Sequence, residues 1–144
     1  MRREVVNIDQ GLSATPLSAA VKAGGFVFVS GTPPREAGSS TIAFGDIRRQ
    51  TELVLEGLKR RLEAAGSSLE QVVKCTVYAT NSGYFDIVNE VYALYFPEAP
   101  PARTFVTVGS WPWPFDIEID CIALTGDASA PAPIQPPDGP LIVT

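Results

Sequence analysis

The stretch "DIRRQTELVLEGLKRRLEAAGSSLEQVVKCTVYAT", residues 46–80, changes its hydrophobic period partway along, and that change decides the fold. From Ile47 the residues Thr51, Val54, Leu55, Leu58, Leu62 and Ala65 recur at intervals of three and four, the spacing of one face of an α-helix. Asp46 stands where a cap can accept a backbone N–H, and Gly66 stands where the helix must stop. The spacing predicts an amphipathic helix of about five turns. Beyond it, the β-branched and aromatic content of Val72 to Thr80 predicts a strand.

Upstream, "AVKAGGFVFVSG" (20–31) predicts a hairpin from Ala20 to Ser30 turning at Gly24-Gly25, with Ser30-Gly31 at the rim of the sheet. The proline pair and small polar residues of 32–45 predict a loop. Downstream, Asn81-Ser82-Gly83 turns the chain into a second helix, in which Phe85, Val88, Tyr92 and Tyr95 keep helical spacing up to Pro97. Two further strands are predicted, about Thr104 to Val108 and Ile117 to Leu124.

This order predicts an α+β domain over 1–125, one sheet with both helices on a single face. Residues 126–144 are proline-rich, carry no period and read as an extended tail. In the last strand Ile117, Ile119, Cys121 and Ala123 alternate with Glu118, Asp120, Ile122 and Leu124, so the second set faces away from the helices. In the strand before it, Val106 and Val108 suit the helix side, which sends Arg103, Phe105 and Thr107 to the non-helical face with Glu118. A face carrying Phe105, Ile122 and Leu124 is too apolar for water, and self-association is its simplest cover.

Composition narrows the function classes. A chain of 144 residues, 45% hydrophobic, matches one domain with a real core. The net charge of -5 and the scattered basic residues argue against broad nucleic-acid or anionic-membrane binding. The polar opening "MRREVVNIDQ" has no secretory apolar run and no stretch is long enough to span a bilayer, so the cytosol is the default compartment. Cys75 and Cys121 sit inside strands and read as free buried thiols.

Histidine is absent, which removes the commonest general base together with His-based metal sites and triads. There is no CxxC, no GxSxG and no phosphate-binding GxxxxGK[ST]. The search for chemistry narrows to Arg103 and Glu118, with Lys74 and Asp120 behind them. A guanidinium at a strand start suits a planar carboxylate, yet Arg103 reads equally as half of a rim salt bridge. Glu118, between two isoleucines, reads as a water-positioning base or as a buried or edge carboxylate. Ser30 and Gly31 offer a donor and close approach at a strand end, or only a turn. Asn89 reaches a pocket or the surface. Trp111 and Trp113, stiffened by prolines in "WPWP", wall a pocket or an interface.

Taken in order, "AVKAGGFVFVSG", the 46–78 helix and strand, "FDIVNEVYALYFPEAPPAR" and the final "IEI" make the chain resemble the reactive intermediate deaminase family, also called Rid or YjgF-like enamine and imine deaminases. The resemblance covers roughly residues 12 to 125. It implies a chorismate-mutase-like subunit assembled as a homotrimer with ligand clefts between subunits, needing no cofactor and no metal. It also implies hydrolysis of reactive enamines or imines of small carboxylated compounds to keto acids and ammonia. By resemblance Arg103 clamps the substrate carboxylate, Glu118 positions the attacking water, and Ser30, Gly31 and Asn89 shape the cleft. The chain departs from the family pattern in three places. Leu17 stands where a tyrosine is usual, Phe105 where a cysteine is frequent, and Pro112-Trp113-Pro114 replaces a proline, lysine, glycine stretch. These changes predict a bulkier, less polar pocket lined by Leu17, Phe105, Trp111 and Trp113. Two other readings fit the same cleft: a deaminase for a larger unsaturated amino acid such as 2-aminomuconate, and a non-catalytic metabolite-binding regulator.

Overall fold

A computed structural model describes residues 2–8 and 15–125; the proline-rich stretch 126–144 lies outside the described residues. Six strands form one sheet: β1 (Glu4–Val6), β2 (Ala20–Ala23), β3 (Phe26–Thr32), β4 (Val72–Ala79), β5 (Ala102–Thr107) and β6 (Ile117–Leu124). Two helices, α1 (Ile47–Ala64) and α2 (Phe85–Tyr95), complete the α+β architecture.

The spatial order is β1-β2-β3-β6-β4-β5. β3 and β4 are both antiparallel to β6, hence parallel to each other across it, and β5 is parallel to β4. The two crossovers, through α1 and then α2, move the same way across the sheet. Crossovers of one hand then put both helices on the same face. The predicted layering follows from that connectivity.

Local chemistry accounts for the boundaries. Gly24 and Gly25 both adopt positive φ (60° and 84°), which a two-residue primed hairpin turn demands, and they join Ala23 to its partner Phe26. The Asp46 carboxylate accepts the Arg48 N–H at 3.0 Å and caps α1. Gly66, at φ 78°, ends it. β1 escaped the sequence reading because three residues are too few to show alternation; it is held by main-chain pairing to β2. β5 begins two residues earlier than its apolar pattern suggested, since its ladder with β4 starts at Ala102 opposite Lys74.

The core lies between the helices and one face of the sheet, with Val27, Leu55, Leu58, Val77, Val88 and Ile117 fully buried. Cys75 and Cys121 face each other across β4 and β6 as free buried thiols, and burial raises the pKa of both. A polar network is built into this core. Gln50, wholly buried on α1, donates to the Gly45 carbonyl (3.2 Å) and to Asp116 Oδ2 (3.1 Å), and accepts the Asp116 N–H at 2.8 Å. Thr80 donates to the other Asp116 oxygen (2.8 Å), so the network ties α1 to the end of β4 and the start of β6. Gln50→Leu keeps the volume but strands the Asp116 N–H. Its expected cost is about 2 kcal/mol in urea unfolding, and an unchanged midpoint would show that the network adds nothing.

Candidate active site

The sheet positions the predicted residues on two faces rather than one. In the parallel β4–β5 ladder Cys75 stands beside Arg103 and Val77 beside Phe105, and both β4 residues belong to the core. Arg103 and Phe105 therefore point toward α2, which corrects the expectation that they share the non-helical face with Glu118. The Phe105 ring meets Phe85 edge-on at 5.1 Å. The Arg103 guanidinium carbon lies 4.9 Å from the Tyr92 ring centre and 5.6 Å from that of Phe85. The physical reason is competition between apolar groups: Phe105 is larger than Val106 and Val108, and it takes the place against α2. Val108 goes to the other side, into the Glu118 cleft.

On that helix side Arg103 is half-buried and stacked between two rings, a setting that fixes a guanidinium while leaving its N–H fork available. Burial raises the Tyr92 pKa well above its usual value, so the hydroxyl stays neutral beside the cation. Asn89, one helical turn from Phe85 on the same side of α2, has its Oδ1 buried with no hydrogen-bond partner among the described residues. An amide oxygen left this way awaits a donor from outside the described chain.

Glu118 occupies the open face. There a cleft of about 400 Å³ is lined by Gly31, Tyr78, Val108, Trp111, Glu118 and Asp120, with Ser110 at its edge. Gly31 is required by close approach: a Cβ built there would come within 2.5 Å of Glu118 Oε2. Any side chain at position 31 displaces the carboxylate. Burial pushes the Glu118 pKa above the usual carboxylate range and Asp120 adds to that, while Arg61 and a hydrogen bond with Trp111 partly offset it. The indole N–H, the one polar group of the Trp111 side chain, favours the ionised carboxylate. Asp120 is engaged by the Tyr78 hydroxyl at 2.8 Å.

The remaining predicted residues take lesser places. Ser30 donates its hydroxyl to the Ser18 carbonyl (2.6 Å) and its N–H to Ala19 (3.0 Å), so both of its donors hold the 15–19 segment against β3. Leu17 is exposed. Trp113 is 52% exposed and stacks over the buried Phe115 ring at 6.5 Å, outside the cleft that Trp111 lines. Lys74 reaches Thr104 on the open face.

Sequence reasoning missed Arg61. Its side chain is 6% exposed and Nη1 donates to Thr32 Oγ1 (3.0 Å) and to the Ser30 and Gly31 carbonyls (3.3 and 3.4 Å). The signal was available: position 61 follows Leu58 by three and Val54 by seven, so a charge sits on the apolar stripe of α1.

Known proteins resemble the chain over most of its length. The family model described as Endoribonuclease L-PSP matches residues 8–125. A RutC family protein of Pyrococcus horikoshii is 48% identical over 108 residues, 75% of this chain and 86% of that one. Reactive Intermediate Deaminase A, chloroplastic, of Arabidopsis thaliana is 36% identical over 85% of this chain and 66% of its own length. The crystal structure of RidA from the Antarctic bacterium Psychrobacter sp. PAMC 21119 superposes with a TM-score of 0.77 at 34% identity, covering 84% of this chain and 98% of that one. With its sheet, its two helices and this sequence match, the chain belongs to the YjgF/Rid family described as Endoribonuclease L-PSP.

Proposed function

We propose that the protein hydrolyses reactive enamines and imines of small carboxylated compounds to keto acids and ammonia, in clefts formed between copies of itself. One observation carries this reading. The carboxylate-binding group, Arg103, and the water-positioning group, Glu118, lie on opposite faces of one sheet, and each half is incomplete alone. A second copy that brings its Arg103 edge over the Glu118 cleft completes the site. The open face also carries Phe26, Phe28 and Leu124, each 40% or more exposed, as apolar surface for such a contact. A closed ring of three is the assembly proposed, to be measured by light scattering.

In that cleft Arg103 holds the substrate carboxylate through two parallel hydrogen bonds and Asn89 Oδ1 accepts from the imine nitrogen. Water adds to the C=N carbon while Glu118 takes its proton and returns it to the nitrogen, giving a carbinolamine. The carbinolamine then collapses: its hydroxyl proton passes by way of Glu118 to the nitrogen, the C–N bond breaks, ammonia leaves, the hydroxyl oxygen becomes the keto oxygen and Glu118 is again a carboxylate. A carboxylate whose pKa is raised by burial is a better base for this work than an ordinary one. The imine carbon is already electrophilic, so orientation and electrostatics supply most of the benefit. No cofactor enters this scheme.

Two carboxylates, Glu118 and Asp120, in the open-face cleft repel a phosphate backbone, which favours deamination over RNA cleavage. Trp111 adds a ring to the cleft wall and favours, as a second reading, substrates with longer unsaturated side chains such as 2-aminomuconate. The working compartment, read as the cytosol, belongs to the same proposal; among the described residues no helix is long and apolar enough to cross a membrane.

The test is keto-acid release when purified protein is added to an amino-acid oxidase generating imines from several amino acids in turn. Acceleration is expected with at least one of them. No acceleration with any, alongside saturable keto-acid binding, would replace the enzyme with a metabolite-binding regulator.

A further inference from the structure

Two carboxylates, Glu118 and Asp120, share the open-face cleft, yet the reaction proposed above asks only one of them to exchange protons. They stand two residues apart on one face of β6, about 6.5 Å along the strand, near enough for each charge to disfavour the other. What separates their roles comes from the neighbouring strand. In the antiparallel β4–β6 ladder Tyr78 lies directly opposite Glu118, and Thr76 directly opposite Asp120. The Tyr78 side chain nevertheless passes its own partner and donates its hydroxyl to Asp120 Oδ2 at 2.8 Å, the diagonal reach that an aromatic side chain has across a ladder.

The groups around Glu118 differ in sign. Asp120 from its own strand favours the protonated acid, whereas Arg61 from α1 and the Trp111 indole favour the ionised form. Tyr78 faces it from β4, and β3 presents Gly31, which brings no charge. Lys74, on the same face of β4, is turned to Thr104 on β5. Asp120 is thus the one neighbour that works against Glu118 as a base, and Tyr78 is the residue that holds it.

We infer that Tyr78 is a positioning residue for the deamination: by holding Asp120 it fixes the pH range in which Glu118 works as the base. This role rests on the deaminase reading for the reaction that it serves. A phenol O–H placed on a carboxylate oxygen draws off part of its charge, so Asp120 repels Glu118 less than a bare carboxylate would. The donor is a durable one, because the hydrogen bond to Asp120 is the main cause that lifts the Tyr78 pKa above its usual value and keeps the proton on the phenol.

Two substitutions move Glu118 in opposite directions. Without the Tyr78 hydroxyl the full charge of Asp120 acts on Glu118, and the protonated acid persists to higher pH. Without the Asp120 charge the protonated acid is lost at lower pH. Tyr78→Phe keeps the ring and Asp120→Asn keeps the shape, so both variants change charge and hydrogen bonding with little change in volume.

Carboxyl carbon NMR of Glu118 in the full chain reads its titration midpoint without any turnover, so the result is separate from that of the deaminase reading. Tyr78→Phe is expected to raise the midpoint and Asp120→Asn to lower it. Because Tyr78 acts through Asp120, adding Tyr78→Phe to Asp120→Asn is expected to leave the midpoint where Asp120→Asn alone puts it. Tyr95→Phe, which breaks a like hydrogen bond to Glu56 (2.8 Å) outside the cleft, is expected to leave it unmoved. In imine hydrolysis the acid limb of kcat/KM should follow the midpoint, changing the rate at a fixed low pH about tenfold for each unit of displacement. A midpoint unmoved by Tyr78→Phe, moved equally with and without the Asp120 carboxylate, or moved as much by Tyr95→Phe, overturns the role. An acid limb that stays in place while the midpoint moves overturns its assignment to the reaction. Absence of turnover would remove the reaction itself, and the midpoints would still decide whether Tyr78 acts on Glu118 through Asp120.

Discussion

Mixing two inactive variants is expected to restore activity. On the proposed mechanism Arg103→Ala removes a bidentate clamp and should lower kcat/KM for imine hydrolysis by about 10²- to 10³-fold, and Glu118→Gln removes the base and should cost about as much. Within one chain the two side chains lie on opposite faces of the sheet, Arg103 under α2 and Glu118 in the open cleft. In the proposed shared cleft, a working site takes Arg103 from one copy and Glu118 from the next. When the variants are unfolded together and refolded at equal amounts, random assembly into rings leaves about a quarter of the clefts with both groups intact. Keto-acid release should recover to about that fraction of the unmutated protein's. Mixed rings confirmed by native mass spectrometry with no recovery would end the shared-cleft mechanism.

Arg61→Met is expected to have the largest effect on stability, about 3 kcal/mol, because it leaves the Ser30 and Gly31 carbonyls and Thr32 Oγ1 without a buried charged donor. The loss should depend on pH. Glu118 already has a raised pKa in the folded chain, and removing the neighbouring cation raises it further. The folded state then binds the Glu118 proton more tightly than the unfolded state does. That contribution is fully present below the ordinary carboxylate pKa and is lost as pH rises through the folded value. The deficit of the variant should be larger at pH 8 than at pH 5 in urea unfolding, and the acid limb of the activity profile should move to higher pH. A deficit equal at both pH values would separate Arg61 from Glu118.

The same two residues mark where sequence reading succeeds and where it stops. α1, β4, α2 and β6 are legible because each buries one regular face, and burial writes period 3.6 or 2 directly into the residues. Gly24-Gly25 and Gly66 are legible because positive φ selects glycine. Glu118 is placed on the open face by the strict alternation of β6, in which Ile117, Ile119, Cys121 and Ala123 are all buried. β5 carries no such alternation. It is an edge strand with Phe105 and Val106 adjacent, and either parity buries one apolar side chain.

The sequence by itself determined the element order from β2 onward, the single helix-covered sheet and the residue types capable of chemistry, since these follow from local period, caps and turns. Only the tertiary structure decided that Arg103 stacks under α2 while Glu118 looks the other way. That choice depends on which ring, Phe105 against Phe85, fills the space beside α2, and packing between elements distant in sequence leaves no local period. The same holds for Arg61. Its place on the apolar stripe is written in the helix, but its task is set by the Gly31 carbonyl and the Glu118 carboxylate, which two other strands bring to it.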